Sequence, residues 1–148
     1  MKVKIKRLDP TVALPRYQTD ESAAFDLATS EDAVIQPGEI KLLHTGLIVE
    51  APKDHFLVIA ARSSLPKKKG LTVAQGIGIV DRDYSGPEDE IRLQVYNFTE
   101  KPVEVKKGER LAQGIFLKAD KVQWNEVSEM REKSRGGFGS TGTGSTAA

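Results

Sequence analysis

The sequence predicts an all-β protein, because short strand-like runs with turn residues between them are common and helix signals are scarce. Apolar residues alternate with more polar ones along Ile91–Tyr96, which is the period of two expected of a half-buried strand. Pro37-Gly38, Gly46 and Lys107-Gly108 provide turns. A sandwich, barrel or jelly roll follows from this spacing. The predicted strands are Lys2–Lys6, Ala33–Ile35, Ile40–His44, Leu47–Glu50, Phe56–Ala60, Ile91–Tyr96, Val103–Val105 and Arg110–Leu117.

Length and composition indicate one ordinary globular domain. The chain has 148 residues, of which 39% are hydrophobic and 29% are charged. A core of that size can bury roughly two-thirds of the surface of the unfolded chain. With 22 basic and 21 acidic residues the net charge is +1, so we expect no nucleic-acid partner bound through bulk charge. A small phosphate-bearing ligand would need only a local basic cluster.

The amino-acid composition argues against cysteine-based sites, zinc sites and membrane segments. Cysteine is absent, which excludes disulfides and thiolate chemistry. His44 and His55 are too few for most zinc sites, and we interpret both as strand-end or loop residues. No apolar run approaches the roughly 20 residues of a membrane span, and Met1–Arg7 lacks the apolar core of a signal peptide. The expected compartment is the cytosol, with no membrane partner.

The last part of the chain has a different composition. Asp120–Arg131 fits either a short helix or, through Trp124 and Val127, a last strand. Arg135–Ala148 holds five glycines and five Ser or Thr among 14 residues. On composition alone this is a mobile terminus.

One candidate site is the glycine-flanked run Gly76–Gly86, which ends in two acids and a tyrosine. In a strand, Ile77, Ile79 and Asp81 share one face. A carboxylate on an apolar face is costly unless it is hydrated or paired. Asp81 could therefore hold a water as a base, or it could cap a turn.

A second candidate is Arg62-Ser63-Ser64, which offers forked donors and hydroxyls to phosphate oxygens. If the serines open a helical turn, free N–H groups would add to the site. The following Lys67–Lys69 run is typical of a solvated loop. The order of residues differs from that of a P-loop.

Two polar residues interrupt apolar stretches. Gln113 lies in an apolar row of a predicted strand, where its amide needs partners. Asp26 lies within Ala23–Ala28 and could pair with local backbone or with an arginine. Both could be structural hydrogen-bonding residues or site residues.

Together these stretches resemble the five motifs of the trimeric dUTPase family, in the family's order and over residues 2 to about 142. The matching motifs are Ala24–Leu27, Arg62–Gly70, Gly78–Gly86, Gly108–Ile115 and Arg135–Gly142.

The resemblance implies a distorted jelly-roll (β-clip) protomer in a homotrimer with tail exchange and shared active sites. It divides the chain into a core at 1–132 and a Gly/Ser-rich lid at 133–148. It implies hydrolysis of dUTP to dUMP and pyrophosphate, which controls dUTP and supplies dUMP for dTMP synthesis. Mg²⁺ would be held by the triphosphate and waters, without a direct protein ligand.

The resemblance also implies residue roles. Asp81 would set the attacking water against the α-phosphorus, and Tyr84 under the deoxyribose would exclude a 2′-hydroxyl. The implied phosphate contacts are Arg62, Ser63, Ser64, Gln113 and Arg135; the uracil and deoxyribose contacts are Gln75, Ile77, Gly78, Tyr84 and Phe138; the supporting residues are Asp26, Asp83 and Ser140.

The chain departs from the family pattern in four places. Pro87-Glu88-Asp89 is inserted after the third motif, and only two glycines separate Arg135 from Phe138, so that Lys133 or Arg131 could share the phosphate role. Gln75 stands where Asn is frequent, and Phe25 stands where Tyr is common.

Three alternatives remain at this point. A dCTP deaminase of the same fold would need a catalytic Glu where this chain has Gln94. A nucleotide-binding protein without catalysis could use the same scaffold. A capsid-like jelly roll would also accommodate the lysine run and the Gly/Ser tail.

Overall fold

The computed structural model describes residues 1–131 and 133–137, and it confirms the all-β prediction. Eleven strands and one short helix are present in that part of the chain. The strands are β1 (Lys4–Arg7), β2 (Phe25–Ala28), β3 (Ala33–Ile35), β4 (Ile40–His44), β5 (Leu47–Glu50), β6 (His55–Ala61), β7 (Leu71–Val73), β8 (Ile77–Val80), β9 (Arg92–Asn97), β10 (Val103–Val105) and β11 (Arg110–Lys118), and the helix is α1 (Leu65–Lys69).

The strands form four antiparallel groups that wrap around one apolar core. The largest has the order β2-β11-β6-β8, and a second has the order β4-β9-β7, with β1-β5 and β10-β3 as two-stranded pairs. Neighbours in the sheets are far apart in sequence, as in a jelly roll. The core consists mainly of branched aliphatic side chains from the inward faces, including Leu27, Ile35, Leu43, Leu57, Leu93, Val105 and Leu111.

The register of the four-stranded sheet places large and small residues side by side. One row across the sheet is Phe25, Gly114, Ile59 and Gly78. A Cβ on Gly114 would lie 2.6 Å from the Phe25 ring, so only glycine allows that ring to pack there. The neighbouring row begins with Asp26 and Gln113, on the opposite face of the sheet.

The Lys67–Lys69 loop prediction is wrong in part, because these residues form α1. The helix begins after Ser64 and ends at Gly70, which has a left-handed φ of 65°. Lys69 pairs with Glu109 at 2.6 Å. The proline at the start of the helix supplies the φ that a first turn needs.

Residues 119–131 form neither of the two predicted elements, since they hold no helix or strand. Trp124 is 93% exposed and Met130 is 86% exposed. A strand needs a neighbour for its backbone groups, and the rest of the described chain offers none here. No helix in the described ranges has the length and apolarity to cross a membrane.

Asn97 is a fully buried polar residue that ties three segments together. Its Nδ2 donates to the carbonyls of Ile35 (2.9 Å) and Lys101 (2.8 Å). Its Oδ1 accepts from the N–H and the hydroxyl of Thr99, at 2.9 and 2.7 Å. Because every polar atom of the amide is used, it fixes the turn between β9 and β10 against β3.

We predict that Asn97→Ala lowers the free energy of unfolding by about 2–4 kcal/mol, because it leaves buried carbonyls unpaired. Urea unfolding at one fixed protein concentration measures this. Gln36→Ala is the matched control, since Gln36 is an exposed amide residue, and its midpoint should equal that of the unchanged protein. Equal midpoints for the two variants would contradict the role of Asn97.

Candidate active site

A cleft of about 380 Å³ lies along the outer edge of β8. Within the described residues β8 pairs with β6 alone, so every second residue of β8 turns its N–H and C=O away from its partner. The opposite wall comes from β4 and β9. The lining side chains are Leu42, Ile59, Val73, Gln75, Ile77, Gly78, Ile79, Val80, Asp81, Tyr84, Ile91, Arg92, Leu93 and Gln94.

Five of the predicted site residues are brought together in this cleft: Gln75, Ile77, Gly78, Asp81 and Tyr84. The hairpin before β8 is tight, because Gly76 has a φ of 78° and donates to the Val73 carbonyl at 3.0 Å. Free backbone groups, apolar side chains and a tyrosine together suit a flat polar ring joined to a sugar.

Asp81 follows the last residue of β8 and is exposed at the edge of the cleft. Its carbonyl accepts the Tyr84 N–H at 3.2 Å, which closes a turn and brings the tyrosine back to the cleft. The carboxylate meets solvent, which satisfies the requirement that an acid at the end of an apolar strand be hydrated. Asp81 also borders a second cavity that contains Arg82, Asp83 and Lys118.

Glu50 stabilises the loop that contains Asp81 through an ion pair with Arg82, the next residue. It accepts from Arg82 at 2.8 Å and from Lys4 at 3.0 Å. The hydrogen bond from Lys4, with the charges of Lys4 and Arg82, keeps the pKa of Glu50 below its ordinary value of 4.5 despite partial burial. The pKa of Glu50 is therefore lower in the folded protein than in the unfolded chain. Its ion pairs contribute stability at pH values above the pKa of the unfolded chain, and this contribution is lost as the pH falls through the pKa of the folded protein.

A second cluster lies across the sheet from the cleft. Asp26 is paired with Arg62 Nε at 2.8 Å and with Arg110 at 2.9 Å. Gln113 Nε2 donates to the Ala61 carbonyl at 3.0 Å, just before Arg62. Asp26 therefore both neutralises and orients the arginine of the second motif.

The structure does not bring this cluster to Asp81. Asp26, Gln113, Ala60 and Ile77 form one row on the sheet, so Asp26 and Ile77 are three strand spacings or about 14 Å apart. Ser63 and Ser64 lie in the turn between β6 and α1, away from the cleft. Arg135 is exposed beyond β11. Phe138 and Ser140 lie outside the described residues.

Two residues on the β9 wall of the cleft, Arg92 and Gln94, were not predicted from the sequence. They alternate with the buried Leu93 and Val95 along β9, so the period of two already placed them on the other face. The alternation does not show that this face borders β8, because β8 and β9 belong to different sheets.

The strands, the cleft and the acid at its edge are features of a jelly-roll nucleotide hydrolase. The chain belongs to the dUTPase family, whose sequence model matches residues 11–144.

Two relatives and two solved structures illustrate the similarity. The chain is 42% identical over 144 residues to the deoxyuridine 5′-triphosphate nucleotidohydrolase of Nautilia profundicola, covering 96% of this chain and 99% of that protein. It is 39% identical over 134 residues to the enzyme of the same name from Lactococcus lactis, covering 88% and 89%. The dUTPase of Streptococcus mutans superposes with a TM-score of 0.76 at 30% identity, covering 84% and 100%. The dUTPase of Staphylococcus bacteriophage 80alpha with dUPNHPP has a TM-score of 0.86 at 21% identity, covering 96% and 99%, and this likeness supports the fold alone.

Proposed function

We propose that this protein hydrolyses dUTP to dUMP and pyrophosphate, which lowers dUTP and supplies dUMP for dTMP synthesis. Family membership supports the substrate class. The observation that carries the proposal is the placement of Asp81 at the edge of a cleft that also holds Tyr84 and the free edge of β8. The free edge of β8 can accept a nucleobase, Tyr84 can lie under the sugar, and Asp81 can face the reacting phosphate.

Selection of uracil would come from the backbone of the hairpin that leads into β8. Uracil presents two carbonyl acceptors and an N3–H donor, whereas cytosine reverses part of that pattern and would leave polar groups of the site unpaired. Gln75 and Gly78 lie where these groups meet the cleft. The tight turn at Gly76 leaves little room for the thymine methyl group, and Tyr84 under the sugar would exclude a 2′-hydroxyl.

The Asp81 carboxylate would accept a proton from a water and direct that water in line at the α-phosphorus. A general base within hydrogen-bond reach of its water contributes about a hundredfold or more to the rate. Placing water and phosphorus together also removes the entropic cost of their encounter. Asp83 lines the second cavity together with Asp81, where it would support the conformation of the loop.

The residues present fit a Mg²⁺ that is bound mainly by the substrate. The described ranges contain no group of three or more His, Cys, Asp or Glu that could form a cage. Mg²⁺ keeps several waters and accepts phosphate oxygens readily, so the triphosphate would supply the inner ligands and Asp81 could contact their waters. Bound in this way, the ion would neutralise charge that develops on the phosphates.

The phosphate contacts of one site would come from a neighbouring copy in a homotrimer, which is the assembly that the family resemblance implies. Among the residues lining the cleft, Arg92 is the cation that the described chain supplies. The Arg62 guanidinium points toward Asp26 on β2 and away from β8. A second copy would bring Arg62, Ser63, Ser64 and Gln113 to the triphosphate.

The segment 119–131 supports tail exchange between copies. It exposes four large apolar side chains, which globular proteins normally cover. An extended segment with apolar side chains gains partners for both its backbone and its side chains when it pairs with another copy. Arg135, Phe138 and Ser140 would follow this segment onto a neighbouring site. The four exposed side chains are Val122, Trp124, Val127 and Met130.

We predict that purified protein with Mg²⁺ releases pyrophosphate from dUTP and far less from dCTP, UTP or dTTP. Asp81→Asn should keep nucleotide binding but lower kcat by about a hundredfold or more, because the amide cannot accept the proton. Product chromatography and isothermal titration measure the two effects.

Asp120→Asn is the control for removing an acid beside the same loop, and its kcat should stay near normal. Deamination of dCTP would instead indicate the related deaminase, and binding of dUTP without turnover would indicate a non-catalytic nucleotide-binding protein.

Shared sites can be tested by co-expressing Asp81→Asn and Arg62→Gln chains with different tags. Each variant alone should be nearly inactive. With equal, random mixing, about one site in three of each mixed trimer, or about a quarter of all sites, would combine an intact Asp81 with an intact Arg62 from the neighbour, so activity should return in part. Lys67→Gln in place of Arg62→Gln is the control and should keep activity when expressed alone. If mixed trimers stay as inactive as the two parents, each site belongs to one chain.

A further inference from the structure

Glu90 is a buried carboxylate just before β9 that does not line the cleft. Its side chain is 8% exposed. Oε1 accepts the Gly46 N–H at 2.7 Å. Oε2 lies 2.6 Å from His44 Nδ1, which is the donor because a carboxylate only accepts. Arg92 Nε is 3.7 Å away. Each oxygen has its own short partner, so the carboxylate is held in one position.

The turn between β4 and β5 also forms hydrogen bonds with the backbone of Ile91, the residue that follows Glu90. The Ile91 N–H donates to the Leu47 carbonyl at 2.9 Å, and the Thr45 hydroxyl donates to the Ile91 carbonyl. Gly46 has a φ of 69°, and a Cβ there would lie 2.6 Å from Val12 Cγ2. Only glycine can therefore present its N–H to Glu90 in this turn.

The backbone carbonyl of Glu90, in turn, binds the Tyr84 side chain. The Tyr84 hydroxyl donates to the Glu90 carbonyl at 3.1 Å, while its ring lines the cleft beside Asp81. Tyr84 is 44% exposed, so packing alone does not fix its ring. The hydrogen bond of the Tyr84 hydroxyl therefore restricts rotation of the side chain and fixes the position of the ring.

The inserted residues Pro87–Asp89 lie in the loop that connects Tyr84 with Glu90. Gly86 N–H donates to Asp89 Oδ2 at 2.7 Å, and Asp89 N–H donates to the Gly86 carbonyl at 3.2 Å. The insertion Pro87–Asp89 is thus a closed turn that delivers Glu90 both to the His44–Leu47 turn and to the Tyr84 hydroxyl.

We propose that Glu90 is a positioning residue that fixes the Tyr84 ring and thereby sets discrimination between deoxyribose and ribose. The inference rests on the proposed function, in which Tyr84 lies under the sugar. Rejection of a 2′-hydroxyl is steric, and a ring that can move by about 1 Å no longer enforces it. Loss of the Glu90 carboxylate breaks its contacts with Gly46 and His44, which frees the backbone carbonyl that accepts the Tyr84 hydroxyl. No group that touches the nucleotide is removed.

The test is the ratio of kcat/KM for dUTP to kcat/KM for UTP. In Glu90→Ala this ratio should fall about tenfold or more, chiefly because UTP becomes a better substrate. Glu90→Gln should restore most of the ratio, since the amide can still accept from Gly46. Tyr84→Phe, which removes the hydroxyl, should lower the ratio similarly. In the Glu90→Ala/Tyr84→Phe double variant the ratio should fall little further, because Glu90→Ala acts through the hydrogen bond that Tyr84→Phe has already removed.

A merely structural role for Glu90 would lower activity toward both nucleotides equally and leave the ratio unchanged. Glu39→Ala is the matched control, because Glu39 also accepts a backbone N–H in a turn, that of Gln36 at 2.6 Å, and is not among the residues lining the cleft. Its ratio should equal that of the unchanged protein. If Glu90→Ala does not fold, His44→Ala removes one partner of the carboxylate, and its ratio should fall severalfold.

An unchanged ratio in Glu90→Ala, or in His44→Ala if that variant must be used, would overturn the inference. Failure of the proposed function is a separate outcome, since the unchanged protein would then fail to release pyrophosphate from dUTP before any variant is compared.

Discussion

The position of strand β6 between β8 and β11 is the constraint on which the rest of the molecule depends. Ile59 on β6 is buried and lies between Gly78 on one side and Gly114 on the other. The glycines leave space that Ile59 and the Phe25 ring fill. A shift by one residue would turn Ile59 to the outer face, so burial of this row fixes the register of the whole sheet.

That register determines what each face of the sheet can do. With Ile59 inside, Asp26 and Gln113 must lie on the outer face, where Asp26 holds Arg62. At the same time β8 is left as the sheet edge, with its backbone and Asp81 at the cleft. A single chain therefore presents the cleft beside Asp81 and the arginine cluster in different places. Apposition of copies would combine them, which is why the proposed trimer and the proposed chemistry depend on each other.

Much of the fold could be predicted from the sequence because its strands are short, amphipathic and bounded by turn residues. Ala33–Ile35, Ile40–His44, Leu47–Glu50 and Val103–Val105 match their predicted bounds. Strand β7 was missed, although it is as long as β3 and β10. Neighbouring positions such as Gln75 and Asp81 could be predicted to share the cleft, but Arg92 could not, since its proximity to β8 arises from contact between two sheets. Glu90 follows two other acids, Glu88 and Asp89, and gives no local sign of burial, because the turn that covers it is more than 40 residues away.

Asp81 is proposed to direct a water to the α-phosphorus, and the fate of the oxygen from that water shows which phosphorus is attacked. Hydrolysis of dUTP can be run for a single turnover in water labelled with heavy oxygen, and the products can be separated and weighed by mass spectrometry. Attack on the α-phosphorus places the label in dUMP and leaves pyrophosphate unlabelled, which is the predicted result. Label in pyrophosphate, with none in dUMP, would place the attack on the β-phosphorus and contradict the account.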